Sequence, residues 1–300
     1  ADATVRAHRT IMLDTTTNLV SLEPTNRKPF IMRRLLPTVL FVAGIAFPAM
    51  SHEFWISPET YVVDPGTSIR AEFRVGQNMK GSGFSFLDFQ SERFDYVTAQ
   101  GTRPVPARMG DRPALNLEAP VDNGLVVVVH QTVDSELTYR EWDKFVAFTE
   151  HKDFTWALDE HRAHGWPETG FKESYRRHAK SLVAVGDGAG TDSFSGMEIE
   201  IVAVTNPYTD DLSGGMVVDV IYDNAPRANE QVELFEKSPE GEVVITRHRT
   251  DATGRAVLPV KADHEYLVDS VVMRLTGNED IAAGPVWHSL WGSLTFKTPF

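Results

Sequence analysis

Histidine is the residue type through which this chain could do chemistry, because the chain contains no cysteine. The common catalytic motifs, G-x-S-x-G, H-E-x-x-H, the P-loop and the dinucleotide fingerprint, are absent as well. His52 would become the first residue if the chain were cleaved after Ser51. An N-terminal histidine offers its α-amine and a ring nitrogen to one ion. With one more imidazole, such an all-nitrogen site suits Cu(II), Ni(II) or Co(II). The alternative is that His52 merely follows the cleavage site.

Further histidines could complete the metal site. Four of them, at positions 151, 161, 164 and 178, fall in a segment predicted to be helical. His161 and His164 are three residues apart, so they could share an ion on one helix face, although an exposed polar face gives the same pattern. His288 near the end of the chain is a weaker candidate, and His130 ends a buried strand. No catalytic residue or organic cofactor site is predicted. The predicted metal ligands are His52, His161, His164, His178 and His288.

The segment 32–51 predicts export. Arg33 and Arg34 precede an apolar run of 13 residues, Leu35–Phe47, and small residues occupy the −3 and −1 positions of a cleavage site after Ser51. The run is shorter than the ~20 residues that a membrane span needs, which disfavours the alternative of an anchor. We therefore predict a signal peptide at 32–51 and a periplasmic protein. The preceding residues 1–31 are interpreted as a non-native upstream extension.

Charge excludes one class of partner. Residues 1–51 contribute six of the 29 Lys and Arg residues and three of the 42 Asp and Glu residues, which leaves a net charge of −16. Such a surface repels phosphate backbones, so we expect no nucleic acid partner. Without cysteine there is no disulfide partner either, and stability must come from core burial or from metal.

Hydrophobic periodicity predicts a mainly β protein with two β-sandwich regions. Residues 52–135 form the first β region, residues 136–195 a helical segment with a Gly-rich linker, and residues 196–300 the second β region. Helical spacing begins near Glu141, and a second helix is predicted from Lys172 to Leu182. Strands are predicted at 68–75, 124–130, 197–204, 215–222, 231–236, 243–248, 256–260, 266–274 and 293–296.

Four stretches of the sequence resemble a known family. They are His52-Glu53-Phe54-Trp55-Ile56, the run from Glu173 to Leu182, Gly196–Ile201 with Asn206-Pro207-Tyr208, and Ser293-Leu294-Thr295-Phe296. Together they resemble exported bacterial domains of unknown function that are labelled as periplasmic components of cobalt or nickel uptake systems and are related to nickel-uptake accessory proteins.

The resemblance implies Ig-like β domains, the second of them similar to transthyretin-like or carboxypeptidase-regulatory modules. The turn Asp251-Ala252-Thr253-Gly254 resembles the hairpin turn of those modules. The resemblance also implies a metal site at the processed N-terminus. The nickel-uptake relatives place the key histidine second in the mature chain, whereas His52 would be first here, so the metal stays open among nickel, cobalt and copper.

Three functions are compatible with these patterns. The first is a soluble periplasmic protein that binds a divalent transition metal for uptake, delivery or buffering, with a membrane metal-uptake transporter as partner. The second is a copper-dependent oxidase or oxygenase that uses the N-terminal histidine, although no sequence motif supports an enzyme. The third is a metal-free Ig-like interaction module, because a fold of this kind does not fix a function.

Overall fold

Three β-sheets and two α-helices build the part of the chain described by the computed structural model, residues 52–120 and 122–299. The predictions of an upstream extension at 1–31 and a signal peptide at 32–51 lie outside the described residues. No helix in the described ranges is long and apolar enough to cross a membrane.

The largest sheet has ten strands, and we call it the central sheet. Its strands are β2 (Val62–Val63), β5 (Ser91–Thr98), β6 (Gly101–Pro104), β8 (Gly124–Thr132), β9 (Ser135–Tyr139), β10 (Phe171–Val185), β14 (Gln231–Lys237), β15 (Val243–Arg249), β17 (Glu265–Leu275) and β18 (Trp287–Lys297). The main order is β15-β14-β17-β18-β10-β8-β5-β6, with β2 and β9 also paired to β10. Strands from both predicted β regions therefore belong to one continuous sheet.

Two four-stranded sheets cover the central sheet. Sheet A consists of β1 (Glu53–Pro58), β3 (Ser68–Gln77), β4 (Lys80–Phe84) and β7 (Leu115–Glu118). Sheet C consists of β11 (Ile199–Ala203), β12 (Met216–Tyr222), β13 (Ala225–Pro226) and β16 (Arg255–Leu258). The helices are α1 (Trp142–His151) and α2 (Trp156–Ala163).

The alternation of side chains along β8 and β10 explains why both faces of the central sheet are covered. Val126 and Val183 lie in a buried cluster with residues of sheet A. Their neighbours Val127 and Leu182 lie in a separate buried cluster with residues of sheet C. Because successive strand residues point to opposite faces, burial on both sides gives a continuous apolar run and a layered β fold. The mainly β architecture predicted from the sequence is confirmed.

The helices pack on the same face of the central sheet as sheet A. Phe145 and Phe148 of α1 are buried against Trp287 and Trp291 of β18. The rings of Phe148 and Trp291 stack with 5.7 Å between their centroids. Burying aromatic rings of this size supplies most of the free energy that holds a short helix in place. The helical pattern predicted from Glu141 is confirmed.

The predicted strands of the last third are confirmed, and so is one predicted turn. Asp251 Oδ1 accepts hydrogen bonds from the backbone N–H of Thr253 and of Arg255, at 2.7 and 3.1 Å. Gly254 follows with a φ of +79°, and a Cβ at this position would lie 2.9 Å from the carbonyl oxygen of Val220. The turn therefore requires glycine at position 254.

The second helix predicted from Lys172 to Leu182 is wrong, because these residues belong to strand β10. One edge of β10 pairs in parallel with β18, from Glu173 opposite Trp287 to Ser181 opposite Thr295. Its other edge pairs antiparallel first with β9 and then with β8. Hydrogen bonding to neighbours on both edges satisfies the strand backbone and outweighs the helix propensity of its residues.

Candidate functional site

His161 and His164 do not share an ion site, because their rings are committed to different partners. His161 is fully buried, its Nδ1 accepts from Trp287 Nε1 at 3.1 Å, and its Nε2 lies 3.0 Å from the carbonyl oxygen of Pro167. His164 stacks on Trp166, with 4.2 Å between the ring centroids, and its Nδ1 lies 3.1 Å from Glu279 Oε2. Both nitrogens of His161 are thus used in packing the helices onto the central sheet.

His178 and His288 lie on neighbouring strands but four residue pairs apart. His178 is opposite Gly292, whereas His288 is opposite Ser174. His178 is buried, neither of its ring nitrogens meets the full geometry of a hydrogen bond with a described residue, and burial together with the charge of Arg176 lowers its pKa to about 3.

The guanidinium of Arg274 holds the ring of His288 in place. Its Nδ1 accepts from an Arg274 nitrogen at 3.0 Å, and its Nε2 lies 3.5 Å from Asp134 Oδ1. The pKa of His288 is lowered by burial and by the charge of Arg274. The structure therefore does not place His178 and His288 around one point.

His52 is the exposed member of the predicted set. Its ring makes no hydrogen bond, ion pair or ring contact with any described residue. Its carbonyl oxygen accepts from an Arg177 nitrogen at 3.4 Å, and the following residue, Glu53, is only 5% exposed. The backbone at His52 is thus anchored while its side chain stays available.

A buried acidic cluster lies next to His52 in the chain, and its members come from distant positions. Within the described ranges, one group of three potential metal ligands (His, Asp or Glu side chains) has its ligand atoms within 4.8 Å of one another. It consists of Glu53, His151 and Glu233. The Lys152 ammonium contacts Glu233, lies 2.7 Å from Asp269 Oδ2 and lies 3.6 Å from Glu53 Oε1. We call Glu53, His151, Lys152, Glu233 and Asp269 the Lys152 cluster.

The ammonium of Lys152 supplies the positive charge that a metal ion would otherwise supply to these carboxylates. Burial depresses the pKa of Lys152, but Asp269, Glu233 and Glu53 outweigh burial and raise it. Burial raises the pKa of Glu53 to about 7, and burial also raises the pKa of Asp269. Burial also acts to raise the pKa of Glu233, but hydrogen bonds from His151 and Lys152 hold it at about 2.

The ring of His151 is also committed within this cluster. An Arg247 nitrogen donates to Nδ1 at 2.8 Å, which leaves the ring proton on Nε2, 2.9 Å from Glu233 Oε1. A metal ion here would have to displace both the Lys152 ammonium and this proton. The Lys152 cluster is therefore an internal ion network and a poor metal site.

A cavity of about 600 Å³ opens between sheet A and the central sheet. We call it the arginine pocket and define it by Phe54, Phe84, Arg112, His130, Tyr175 and Arg177. His130 is buried with its Nε2 2.9 Å from Ser91 Oγ, while its Nδ1 has no partner among the described residues. Burial, and secondarily the charge of His178, lowers the pKa of His130 to about 3, so its imidazole is neutral at physiological pH.

The sequence reasoning missed the Lys152 cluster and the arginine pocket. One local signal was available, because Glu53 is a charged residue at the start of the apolar run Phe54-Trp55-Ile56, which indicates a buried carboxylate with a partner. The partners Lys152, Glu233 and Asp269 lie between 99 and 216 residues further along the chain, so no spacing pattern connects them.

These observations define a layered, mainly β protein with a buried ion network, an exposed histidine at the start of its first strand and one pocket lined by arginine. The chain belongs to the family described as a domain of unknown function (DUF4198), whose model matches residues 49–274. No curated protein matches the sequence significantly.

Two solved structures are similar to this chain at low identity. The D0-D1 domain of intimin is 14% identical, with 82% of this chain and 98% of that chain covered and a TM-score of 0.20. The tetra-tandem repeat in the extending region of a large adhesion protein is 11% identical, with 82% of this chain and 49% of that chain covered and a TM-score of 0.20. This chain thus spans about half the length of the second structure. At these values, neither similarity bears on function.

Proposed function

We propose that this protein binds a divalent transition metal, nickel, cobalt or copper, outside the cytoplasm and delivers or buffers it for a membrane metal-uptake transporter. The ligands at its core are the ring and the α-amine of His52, freed by cleavage after Ser51. The observation that carries the proposal is that His52 alone among the five predicted ligands is exposed, and its ring has no partner in the described ranges.

The placement of His52 supports this role. Glu53 is held inside by the Lys152 cluster, and Phe54, Trp55 and Ile56 are buried. Strand β1 pairs antiparallel with β3 from Glu53 opposite Gly76 onward. His52 is joined directly to this fixed strand. Its backbone therefore loses little conformational entropy when a metal binds, which favours affinity.

The choice of metal follows from the donors. Amine and imidazole nitrogens suit Cu(II), Ni(II) and Co(II), and intrinsic affinity is highest for copper. The resemblance to components of cobalt or nickel uptake systems favours delivery of one of those two metals. A copper-dependent oxidase and a metal-free interaction module remain the competing functions, and the experiment below separates them.

The test compares protein that begins at His52 with protein that begins at Ala46. A start at Ser51 is avoided because it would place His52 second behind a free amine, the arrangement of the nickel-uptake relatives. The additional peptide bond converts the α-amine of His52 into an amide, so affinity for Ni(II), Co(II) and Cu(II) is expected to fall by more than about 100-fold, beyond the usual effect of losing a supporting residue. His52→Ala in the shorter protein removes the other arm of the chelate and should reduce affinity comparably. The measurement is calorimetric titration against a competing chelator.

His264→Ala is the matched control, because His264 is a partly exposed histidine whose Nδ1 is engaged by the carbonyl oxygen of Ala262. It should leave the affinity unchanged. Equal affinity of the two chain starts would overturn the N-terminal chelate. Oxygen consumption by the copper-loaded protein with a reductant would favour the oxidase, and failure to retain any of the three metals would favour the interaction module.

A further inference from the structure

We propose that the arginine pocket binds a small organic acid, a carboxylate carried on an aromatic body. This site is built from side chains of sheet A, the central sheet and the loop at Arg112, and it adjoins the proposed metal site where Arg177 donates to the carbonyl oxygen of His52. Its volume of about 600 Å³ lies within the range of about 300–1,000 Å³ found for small-molecule sites.

The charge of the pocket is unbalanced in one direction. Two arginines line it and no aspartate or glutamate does, in a protein whose overall charge is strongly negative. Neither Arg112 nor Arg177 forms an ion pair with any described carboxylate, and Glu53 acts on Arg177 only through its charge from a longer distance. A guanidinium that is partly removed from water without a counter-ion is unfavourable, and an anionic ligand would correct this.

Arg177 is positioned to receive a carboxylate. Its Nε is fully buried and has no hydrogen-bond acceptor within the described part of the chain, and burial lowers the pKa of the guanidinium. The guanidinium carbon lies 4.8 Å from the centroid of the Tyr175 ring and 5.8 Å from that of Phe54, which restricts its orientation. One of its terminal nitrogens holds the His52 carbonyl oxygen at 3.4 Å. The remaining N–H groups match the paired oxygens of a carboxylate.

The rest of the lining favours an aromatic body. Phe54, Phe73 and Phe84 line the pocket as well, and Phe84 is 49% exposed. A flat ring packed against these side chains would remove apolar surface from water.

The test titrates the purified protein with 3-phenylpropionate and follows binding by calorimetry and ligand-observed NMR. We expect saturable binding with a Kd of about 1 mM or tighter, as a ligand of this size allows. The neutral 3-phenylpropionamide and the cationic phenethylamine should bind at least about 10-fold more weakly, because they lack the charge-assisted hydrogen bonds. Phenyl phosphate serves as the competing anion.

Two variants locate the site. Arg177→Met retains the apolar stem of a partly buried side chain, and Arg112→Gln changes an exposed one that forms no hydrogen bond or ion pair with a described residue. Each should weaken 3-phenylpropionate binding by about 10-fold or more. Arg103→Gln, at an exposed arginine of β6 outside the pocket, should have no effect. The proposal is overturned if the amide binds as well as the acid, if phenyl phosphate binds more tightly, if Arg112→Gln is without effect, or if no acid saturates the protein.

Discussion

Lys152→Met is expected to lower the free energy of unfolding by about 3–5 kcal/mol, because it leaves three buried carboxyl groups without their shared cation. Glu53, Glu233 and Asp269 are each at most 5% exposed, and the Lys152 ammonium contacts all three. Methionine retains most of the lysine stem, so the loss of packing is small. The measurement is denaturant unfolding near pH 7, compared with the unchanged protein.

Lys172→Met is the matched control for this prediction. Lys172 also forms an ion pair, with 3.0 Å between its Nζ and Glu136 Oε2, but the two side chains are 42% and 50% exposed. An exposed pair contributes at most about 1 kcal/mol, so this variant should cost far less. Adding Asp269→Asn to Lys152→Met removes one uncompensated charge, because Lys152 is the ion-pair partner of Asp269 whereas Glu233 keeps His151 and Arg247, and should restore part of the stability. Equal costs for the two lysine variants would show that Lys152 does not neutralise the cluster.

The free energy of unfolding of Glu173→Gln, relative to that of the unchanged protein, is expected to increase as the pH rises. Glu173 is fully buried in β10, accepts hydrogen bonds from Tyr139 and Ser289, and has no cationic partner among the residues that the structure describes. Burial therefore raises its pKa from 4.5 to about 7. A raised carboxyl pKa gives a stabilising contribution that is complete below pH 4.5 and lost as the pH rises toward 7.

The difference in unfolding free energy between Glu173→Gln and the unchanged protein should grow by about 3 kcal/mol between pH 4 and pH 8 and then level off. Denaturant unfolding across this pH range measures this difference. Glu53 titrates in both proteins, so its contribution cancels. Tyr139→Phe is the control, because it removes one donor to the carboxyl group but keeps the titrating group, so its own pH dependence should persist. A difference that does not change with pH would contradict the burial of an ionisable Glu173.

The sequence predicted the strands well where their environment is simple. The strands at 231–236, 243–248 and 266–274 match β14, β15 and β17, which form an antiparallel ladder. It failed at β10, where Glu, Lys, Arg and Ala, all good helix formers, occupy a strand buried on both faces. Lys180 shows why, because its charge is buried on one face with Asp192 and Glu200 and looks like a solvated helix position in the sequence.

The candidate sites were less predictable than the fold. The exposure of His52 could be expected from its position ahead of an apolar strand, whereas the buried roles of His161 and His178 depend on packing that no local pattern encodes. The Lys152 cluster and the arginine pocket each draw on several strands and loops that are distant in sequence. Sequence spacing can suggest a ligand pair on one helix, but it cannot indicate which elements a sheet brings together.

The position of β18 determines when the chain can complete its fold. It is the last strand of the described residues, yet it lies in the middle of the central sheet, between β10 and β17. Until residues 287–297 have been synthesised, both of those strands have an unpaired edge, and such edges are prone to join other chains. Pairing across this distance in sequence is also intrinsically slow. A chain that stopped before Trp287 would therefore lack the strand that joins β10 to β17. Each of these two strands would then have an unpaired edge that could pair with another molecule.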